Sequence, residues 1–223
     1  MGVTLAPDAA ARLVALLDRI ALEPQNLTAI EGVEEGVDRH LADSLAGLRL
    51  PEVSSAPACV DIGSGAGFPG LALAIARPDM AVTLVESEKR KADWLRRASA
   101  EIPNVRVVAD RSEHLAASER ETVPLATMRA LGPLPVALEL AAPLVAVGGC
   151  VVAWRGDDDD PEGEADAAWA ARELGLAPRD PVPSQAFPSS RRRLQVFDKT
   201  APTPRRYPRR PGRAAKRPLG APR

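Results

Sequence analysis

Apolar residues recur with helical spacing before residue 50 and with strand-like spacing after residue 58. Residues three and four positions apart predict two amphipathic helices in the first part. The first predicted stripe consists of Leu13, Val14, Leu16, Leu17 and Ile20. The second consists of Val33, Val37, His40, Leu41, Ser44, Leu45 and Leu48. Two helices are therefore expected ahead of the strand-forming part of the chain.

After residue 58, short runs of strand-forming residues alternate with segments of helical spacing. The strand-like runs are ACVDI, AVTLVE, VRVVA, VPLATM and GCVVAW. The helical segments that follow them are 69–76, 88–101, 111–117, 134–145 and 164–175. This alternation predicts an α/β fold in which helices cover both faces of a mostly parallel sheet. A later run, RLQVFDK, predicts one more strand at an edge of the sheet.

Composition narrows the class of protein. A chain of 223 residues, 45% of them hydrophobic, can form one substantial core. It has no run of about 18 apolar residues and no secretory signal pattern, so we expect a cytoplasmic protein without membrane contact. Cys59 and Cys150 lie inside strand-like runs, where a thiol behaves as a small hydrophobe. The run Asp157–Asp160 is interpreted as a solvated loop, and no metal site is predicted.

The net charge of −1 hides a strong asymmetry. Residues 191–223 contain twelve Lys or Arg and one acid, a balance of 12 − 1 = +11, so the rest of the chain carries −12. A basic segment on an acidic body predicts a polyanionic partner. The alternative is a solvated, disordered terminus.

The stretch VDIGSGAGFPG, residues 60–70, follows the first predicted strand, where open α/β sheets bind their ligands. Gly65–Gly70 fits the G-x-G-x-x-G pattern of NAD(P)-dependent oxidoreductases, and Glu86 follows Gly67 by 19 positions. Counting from Gly63, where the strand ends, favours the first motif of S-adenosylmethionine-dependent methyltransferases instead. In both interpretations Glu86 accepts hydrogen bonds from ribose hydroxyls.

Motifs along almost the whole chain carry a more specific resemblance. They are NLTAI (26–30), RHLADSL (39–45), VDIGSGAGFPG, RPDMAVTLVES (77–87), MRALGPLP (128–135), GG (148–149) and RRYPRRPGRAAKRPL (205–219). With these the chain resembles the RsmG (GidB) family of bacterial 16S rRNA guanine-N7 methyltransferases. It departs from the family pattern at Asp110, Ser112, Met128 and Arg155-Gly156, which leaves a catalytically inactive RNA-binding relative as an alternative.

The resemblance implies a class I S-adenosylmethionine-dependent methyltransferase fold, with a helical extension (1–50), a methyltransferase domain (51–199) and a basic tail (200–223). It implies S-adenosylmethionine as cofactor, and as partner 16S rRNA or the small ribosomal subunit. A monomer is expected. The cofactor-binding residues would be Gly63, Gly65, Gly67, Phe68, Ser112, Glu113 and Arg129, with Glu86 carried over from the broader fold. The RNA-binding residues would be Arg205, Arg206, Arg209, Arg210, Arg213, Lys216 and Arg217.

Three residues are candidates for orienting the reactants. Guanine N7 has a free lone pair, so its methylation needs no general base, and TMRALGPLP offers no paired carboxylate or nucleophilic Cys. We assign Arg129 to orientation of cofactor, base or phosphate, the alternative being a structural salt bridge. His40 and Asp43 share a helix face. By the resemblance this segment borders the catalytic cleft, although a His in an apolar stripe is also typical of a core residue.

Overall fold

The computed structural model describes residues 5–24, 27, 33–156, 160–187 and 190–221. Most of NLTAI, and Asp157–Asp159 of the acidic run, lie outside the described residues. Eight strands form one sheet in the order β3-β2-β1-β4-β5-β8-β6, with β7 also pairing with β8. The strands are β1 Ala58–Ile62, β2 Ala81–Val85, β3 Val105–Val108, β4 Val123–Arg129, β5 Val145–Arg155, β6 Leu176–Pro178, β7 Val182–Pro183 and β8 Arg193–Lys199.

Strands β1 to β5 are all parallel, which confirms the predicted α/β fold. The run RLQVFDK forms β8 antiparallel to β5, but its placement at an edge is wrong, because β6 and β7 pair with its other side. Four consecutive residues of β8, 194–197, are buried, as expected of a strand covered on both faces. The two partner strands are short and contain prolines, so no alternation of apolar and polar residues predicted them.

The helices lie on the two faces of the sheet. They are α1 Pro7–Ala21, α2 Val33–Gly36, α3 Asp43–Leu45, α4 Pro51–Ser54, α5 Gly70–Ala76, α6 Lys89–Ala98, α7 Ser112–Ser118, α8 Leu134–Ala141, α9 Pro161–Glu173 and α10 Arg213–Lys216. Leu16, Leu71 and Trp94 belong to the core on one face, which the N-terminal helices share with α5 and α6. Leu138 and Leu174 belong to the core on the other face, under α7, α8 and α9.

The second predicted helix is not one regular α-helix. Between α2 and α3 the backbone forms a π-helical stretch, Val37–Ala42, and after α3 a 3-10 turn, Ala46–Arg49. The indole of Trp154, at the end of β5, packs against Gly47 so closely that a Cβ there would overlap it. Irregular helical turns of this kind are frequent at functional sites. This one places the His40 segment beside the carboxyl ends of β4 and β5.

Residues 200–221, called the C-terminal segment below, pack against the body. Tyr207 and Leu219 are buried in the core on the α7–α9 face. Arg120 donates hydrogen bonds to the carbonyl oxygens of Thr203 and Tyr207 at 2.6 and 2.8 Å. The segment therefore forms part of the folded body and does not fit a solvated, disordered terminus.

Candidate active site

The glycine loop joins β1 to α5 at the point where the strand order reverses. Gly63, Gly65 and Gly67 have φ values of +67, +55 and +108°, which residues other than glycine rarely adopt. The Gly63 and Ser64 N–H groups donate to the carbonyl oxygen of Val85 at 2.9 and 3.2 Å, tying the loop to the end of β2. The loop is thus fixed at the edge where such folds bind ligands.

Glu86 follows β2 and holds the other side of this loop. Its Oε2 accepts a hydrogen bond from the Gly65 N–H at 2.9 Å, and its Oε1 accepts one from the Glu88 N–H at 2.8 Å. A carboxylate can accept about four hydrogen bonds, so about two remain for ribose hydroxyls. A Cβ placed on Gly65 would meet only the Gly63 oxygen, at 3.8 Å, so the loop is open to a ligand here. These residues fit an adenosyl cofactor.

Asp61 lies beneath the loop and is buried. Its Oδ1 accepts a hydrogen bond from the Thr127 hydroxyl at 2.8 Å, and its Oδ2 accepts one from the Gly70 N–H at 3.3 Å. Burial raises the pKa of Asp61 to about 6, although these hydrogen bonds act in the opposite direction. The carboxylate is therefore mostly ionised at neutral pH, and it joins β1, β4 and the first turn of α5.

Arg129, at the end of β4, connects the loop with the N-terminal helices. Its Nη1 donates to Asp43 Oδ2 at 3.2 Å and to the Arg39 carbonyl at 3.0 Å, while its Nη2 lies 3.2 Å from His40 Nδ1. The ring of Phe68 stacks on His40 with centroids 4.5 Å apart, and the Arg129 guanidinium lies 5.4 Å from the Phe68 centroid. The structure therefore brings four of the candidate site residues, His40, Asp43, Phe68 and Arg129, into one cluster.

Electrostatics in this cluster keep His40 neutral. Burial, followed by the positive charges of Arg129 and Arg192, lowers the pKa of His40 to about 4. Since a guanidinium can only donate, Nδ1 of the neutral ring is the acceptor. Burial raises the pKa of Asp43, against the effect of the same two arginines. His40 thus contributes a flat, uncharged surface rather than an acid at neutral pH.

Two residues of the cluster were not assigned to it from the sequence. Arg192 Nη1 lies 3.6 Å from Asp43 Oδ2, although the sequence placed Arg192 among the basic C-terminal charges. Trp154 packs against Gly47, and its Nε1–H also donates to the Asp43 carbonyl at 2.7 Å. Only the antiparallel return of β8 brings Arg192 to this edge, and no local motif signals that.

Ser112 and Glu113 lie in the first turn of α7, after β3. Ser112 is buried, and Glu113 Oε1 accepts a hydrogen bond from the Gly212 N–H of the C-terminal segment at 3.1 Å. Both are at the carboxyl edge of the sheet, but among the described residues no hydrogen bond or ion pair joins them to the glycine loop. Their assignment to cofactor binding stays a prediction.

The seven cations predicted to bind RNA divide into two groups. Arg206 pairs with Glu173, and Arg209 Nη2 pairs with the buried Glu139 at 2.5 Å. The other five are exposed and are Arg205, Arg210, Arg213, Lys216 and Arg217. The first group holds the C-terminal segment on the body, and the second is available to a partner.

The described residues also bear on two other classes of site. No group of three or more His, Cys, Asp or Glu in the described part of the chain could hold a metal ion. Within the same residues, none of the helices combines the length and apolar character required to span a bilayer.

Comparison with known proteins gives consistent matches. The sequence profile of the GidB family, described as rRNA small subunit methyltransferase G, matches residues 9–174. Ribosomal RNA small subunit methyltransferase G of Deinococcus radiodurans is 39% identical over 227 residues, covering 98% of this chain and 88% of that protein. The protein of the same name from Gloeobacter violaceus is 40% identical over 204 residues, covering 88% and 80%.

Solved structures show the same fold at low sequence identity. The Methanococcus jannaschii fibrillarin pre-rRNA processing protein has a TM-score of 0.57 and 17% identity, covering 72% of this chain and 74% of that chain. A variant of the 16S rRNA (adenine(1408)-N(1))-methyltransferase of Catenulisporales acidiphilia was solved with its cosubstrate. It has a TM-score of 0.53 and 19% identity, covering 69% of this chain and 90% of that chain. The predicted Rossmann-like class I fold is thereby confirmed.

Proposed function

Since this chain belongs to the rRNA small subunit methyltransferase G family, and is thus an S-adenosylmethionine-dependent rRNA methyltransferase, we propose that it methylates N7 of a guanine in 16S rRNA. The observation that carries the assignment of the site is the position of the glycine loop between Glu86 and the His40 cluster. The Gly65 N–H of this loop donates a hydrogen bond to Glu86, and Phe68 of the same loop stacks on His40 beside Arg129. Cofactor and base can therefore be held on either side of it.

Gly63, Gly65, Gly67 and Glu86 would hold the adenosyl cofactor, with Phe68 and Arg129 closing the site. Ser112 and Glu113 would border it from the start of α7. When bound, the cofactor supplies a methyl group on a sulfonium.

The chain has to align the reactants rather than move a proton. In-line transfer needs the reacting atoms about 3–3.5 Å apart, and N7 attacks with its own lone pair. His40, with its pKa lowered to about 4, carries no charge at neutral pH and supplies no acid there. Arg129 is held by Asp43, His40 and the Arg39 carbonyl, so its position is fixed before substrate arrives. We infer that the side chains of Arg129, His40 and Asp43 orient the base.

RNA would reach this edge along the exposed cations of the C-terminal segment. The Gly212–Glu113 hydrogen bond holds α10 close to the start of α7, at the carboxyl edge of the sheet. Basic side chains there can neutralise phosphates, which supplies much of the affinity for RNA. We expect the protein to act on 16S rRNA or the small subunit, in the cytoplasm and as a monomer.

The proposal is tested with the purified protein and 16S rRNA in two steps. S-adenosylhomocysteine, but not NADH, should raise the melting temperature, because a ligand that binds only the folded state stabilises it. Labelled methyl groups should then appear on guanine N7, mapped by strand cleavage at 7-methylguanosine. Stabilisation by NADH would favour the oxidoreductase alternative. Binding of RNA and S-adenosylhomocysteine without turnover would favour an inactive relative.

A further inference from the structure

We propose that Asp160 and Arg155 bind the Watson–Crick edge of the target guanine, in a cleft beyond the ends of β4 and β5. This inference rests on the proposed function and names the residues that select the base. The cleft has a volume of about 340 Å³, within the range of small-ligand pockets. It is lined by Arg129, Leu131, Trp154, Arg155, Asp160 and Arg192, among others.

The fold places this cleft next to the glycine loop. Arg129 ends β4 and Arg155 ends β5, and the strands are parallel neighbours, so both side chains start from the same edge of the sheet. Leu131 lines the cleft, and its side chain also packs against Gly63 so closely that a Cβ there would overlap it. A base in the cleft is therefore adjacent to the loop assigned to the cofactor.

Arg155 offers a donor that no described residue uses. Its side chain is 17% exposed and its Nη2 pairs with Glu164 Oε1 at 2.6 Å. Its Nη1 is buried and has no hydrogen-bond partner among the described residues. A buried donor without an acceptor is unfavourable, so a base that brings an acceptor gains when the Arg155 side chain turns Nη1 into the cleft that it lines. Guanine O6 is such an acceptor, and it lies on the Watson–Crick edge as well as next to N7.

Asp160 offers the complementary acceptor. It is exposed at the N-cap of α9, where Oδ1 accepts the Gly163 N–H at 3.0 Å. The remaining lone pairs of the carboxylate can accept from guanine N1–H and the 2-amino group. Adenine presents a donor in place of O6 and an acceptor in place of N1–H. Its 6-amino group would therefore face the Arg155 donor, and its N1 would face the Asp160 carboxylate. The pair thus selects guanine and leaves N7 free.

The charges of the cleft favour a base over a phosphate. Arg129 and Arg192 share Asp43, Arg155 pairs with Glu164, and Asp160 is a further carboxylate. Among the described residues, the three guanidinium groups that line the cleft are thus balanced by Asp160 in the lining and by their pairing partners Asp43 and Glu164 behind it. A phosphate site would be expected to carry excess positive charge.

A carboxylate at this edge also suits the reaction. The N7 lone pair forms the new bond to the methyl carbon while the carbon–sulfur pair returns to sulfur, so positive charge passes from the sulfonium to the purine. N1–H becomes a stronger donor as this charge develops. The hydrogen bond from N1–H to Asp160 is then stronger in the transition state than in the ground state, and such an interaction raises kcat.

The test compares variants on RNA substrates that differ by one group. Once the methylated position is mapped, that guanosine is replaced by inosine, which lacks only the 2-amino group. Asp160→Asn keeps a good N-cap but replaces one acceptor, and Arg155→Gln removes the guanidinium. Arg106→Gln is the control, because Arg106 pairs with Glu119 at 2.6 Å on β3, outside the cleft.

For the wild type we expect kcat/KM to be about 10-fold lower on inosine than on guanosine. Asp160→Asn should lower kcat/KM on guanosine by about 10- to 100-fold and abolish the difference between the two substrates. Arg155→Gln should lower kcat/KM similarly without changing the salt dependence of RNA binding. S-adenosylhomocysteine affinity should stay the same throughout, and Arg106→Gln should behave as the wild type.

Two outcomes overturn the inference while leaving the proposed function intact. One is a guanosine-to-inosine ratio that Asp160→Asn leaves unchanged. The other is a salt slope that falls by about 0.7 in Arg155→Gln, which would show a phosphate contact instead. If the wild type does not methylate N7 at all, the proposed function and this inference both fail.

Discussion

Glu86 is the single side chain on which cofactor binding should depend most. Glu86→Gln keeps the shape but removes the charge from hydrogen bonds to ribose hydroxyls, which are worth about 1.5–3 kcal/mol when an ion takes part. We expect S-adenosylhomocysteine to bind about 10- to 100-fold more weakly, as measured by calorimetry.

Glu88→Gln is the matched control, since the Glu88 side chain pairs with Lys91 at 2.9 Å and is half exposed. Affinity should remain at the wild-type level there. Equal affinities of the Glu86 and Glu88 variants would contradict the assignment of Glu86.

Asp61 should make the stability of the protein depend on pH. Because burial raises the pKa of Asp61 from 3.8 in the unfolded chain to about 6, the folded state binds more protons between these values. The free energy of unfolding should therefore fall, by on the order of 3 kcal/mol from this group, as the pH rises from about 4 to 6. His40, whose pKa is lowered to about 4, contributes a rise over the same range, so the contribution of Asp61 is measured as the difference between the urea stability profiles of the wild type and Asp61→Asn.

Asp61→Asn should remove this fall, because an amide does not titrate and can still accept from Gly70 N–H and donate to the Thr127 hydroxyl. Asp79→Asn should retain it, since the hydrogen bond from Arg77 lowers the pKa of Asp79 to about 2. A pH profile of Asp61→Asn parallel to that of the wild type would refute the role of Asp61.

Among the larger elements, the C-terminal segment should stabilise the fold through Tyr207. This side chain is 6% exposed and belongs to the core under α7–α9. Tyr207→Ala should lower the free energy of unfolding by about 3 kcal/mol, a cost typical of truncating a buried aromatic ring. Arg205→Ala, at an exposed position of the same segment, should cost less than about 0.5 kcal/mol. Similar midpoints for both variants in urea would mean that the segment does not pack as described.

The elements differ in how far the sequence predicted them. The glycine loop and Glu86 were predictable because a strand, a turn and a helix follow one another locally. The docking of the C-terminal segment was not, because its anchors Arg209 and Glu139 are 70 residues apart and leave no periodic pattern. The π-helical stretch Val37–Ala42 also escaped detection, since an apolar stripe has nearly the same spacing in both kinds of helix.

At the scale of the whole molecule, the asymmetric charge distribution should make RNA binding depend on salt concentration. Replacing the five exposed cations of the C-terminal segment by Ala should leave the fold intact, since the pairs of Arg206 and Arg209 remain. If about four of them neutralise phosphates, the slope of log K against log salt should fall by about 3 on single-stranded RNA. Filter binding at several salt concentrations gives this slope. An unchanged slope would place the RNA-binding surface elsewhere.

The long-range anchors of the C-terminal segment also matter for how the protein is made. Thr203, Arg209 and Gly212 bond to Glu121, Glu139 and Glu113, which precede them by 82, 70 and 99 residues. During synthesis α7 and α8 leave the ribosome well before the residues that cover them. A premature stop codon shortly before Tyr207 would leave the glycine loop and Arg129 in the product but open one face of the core. Such a product would expose apolar surface to proteases and chaperones. The codons for the C-terminal segment should therefore influence the amount of enzyme in the cell as much as they influence its affinity for RNA.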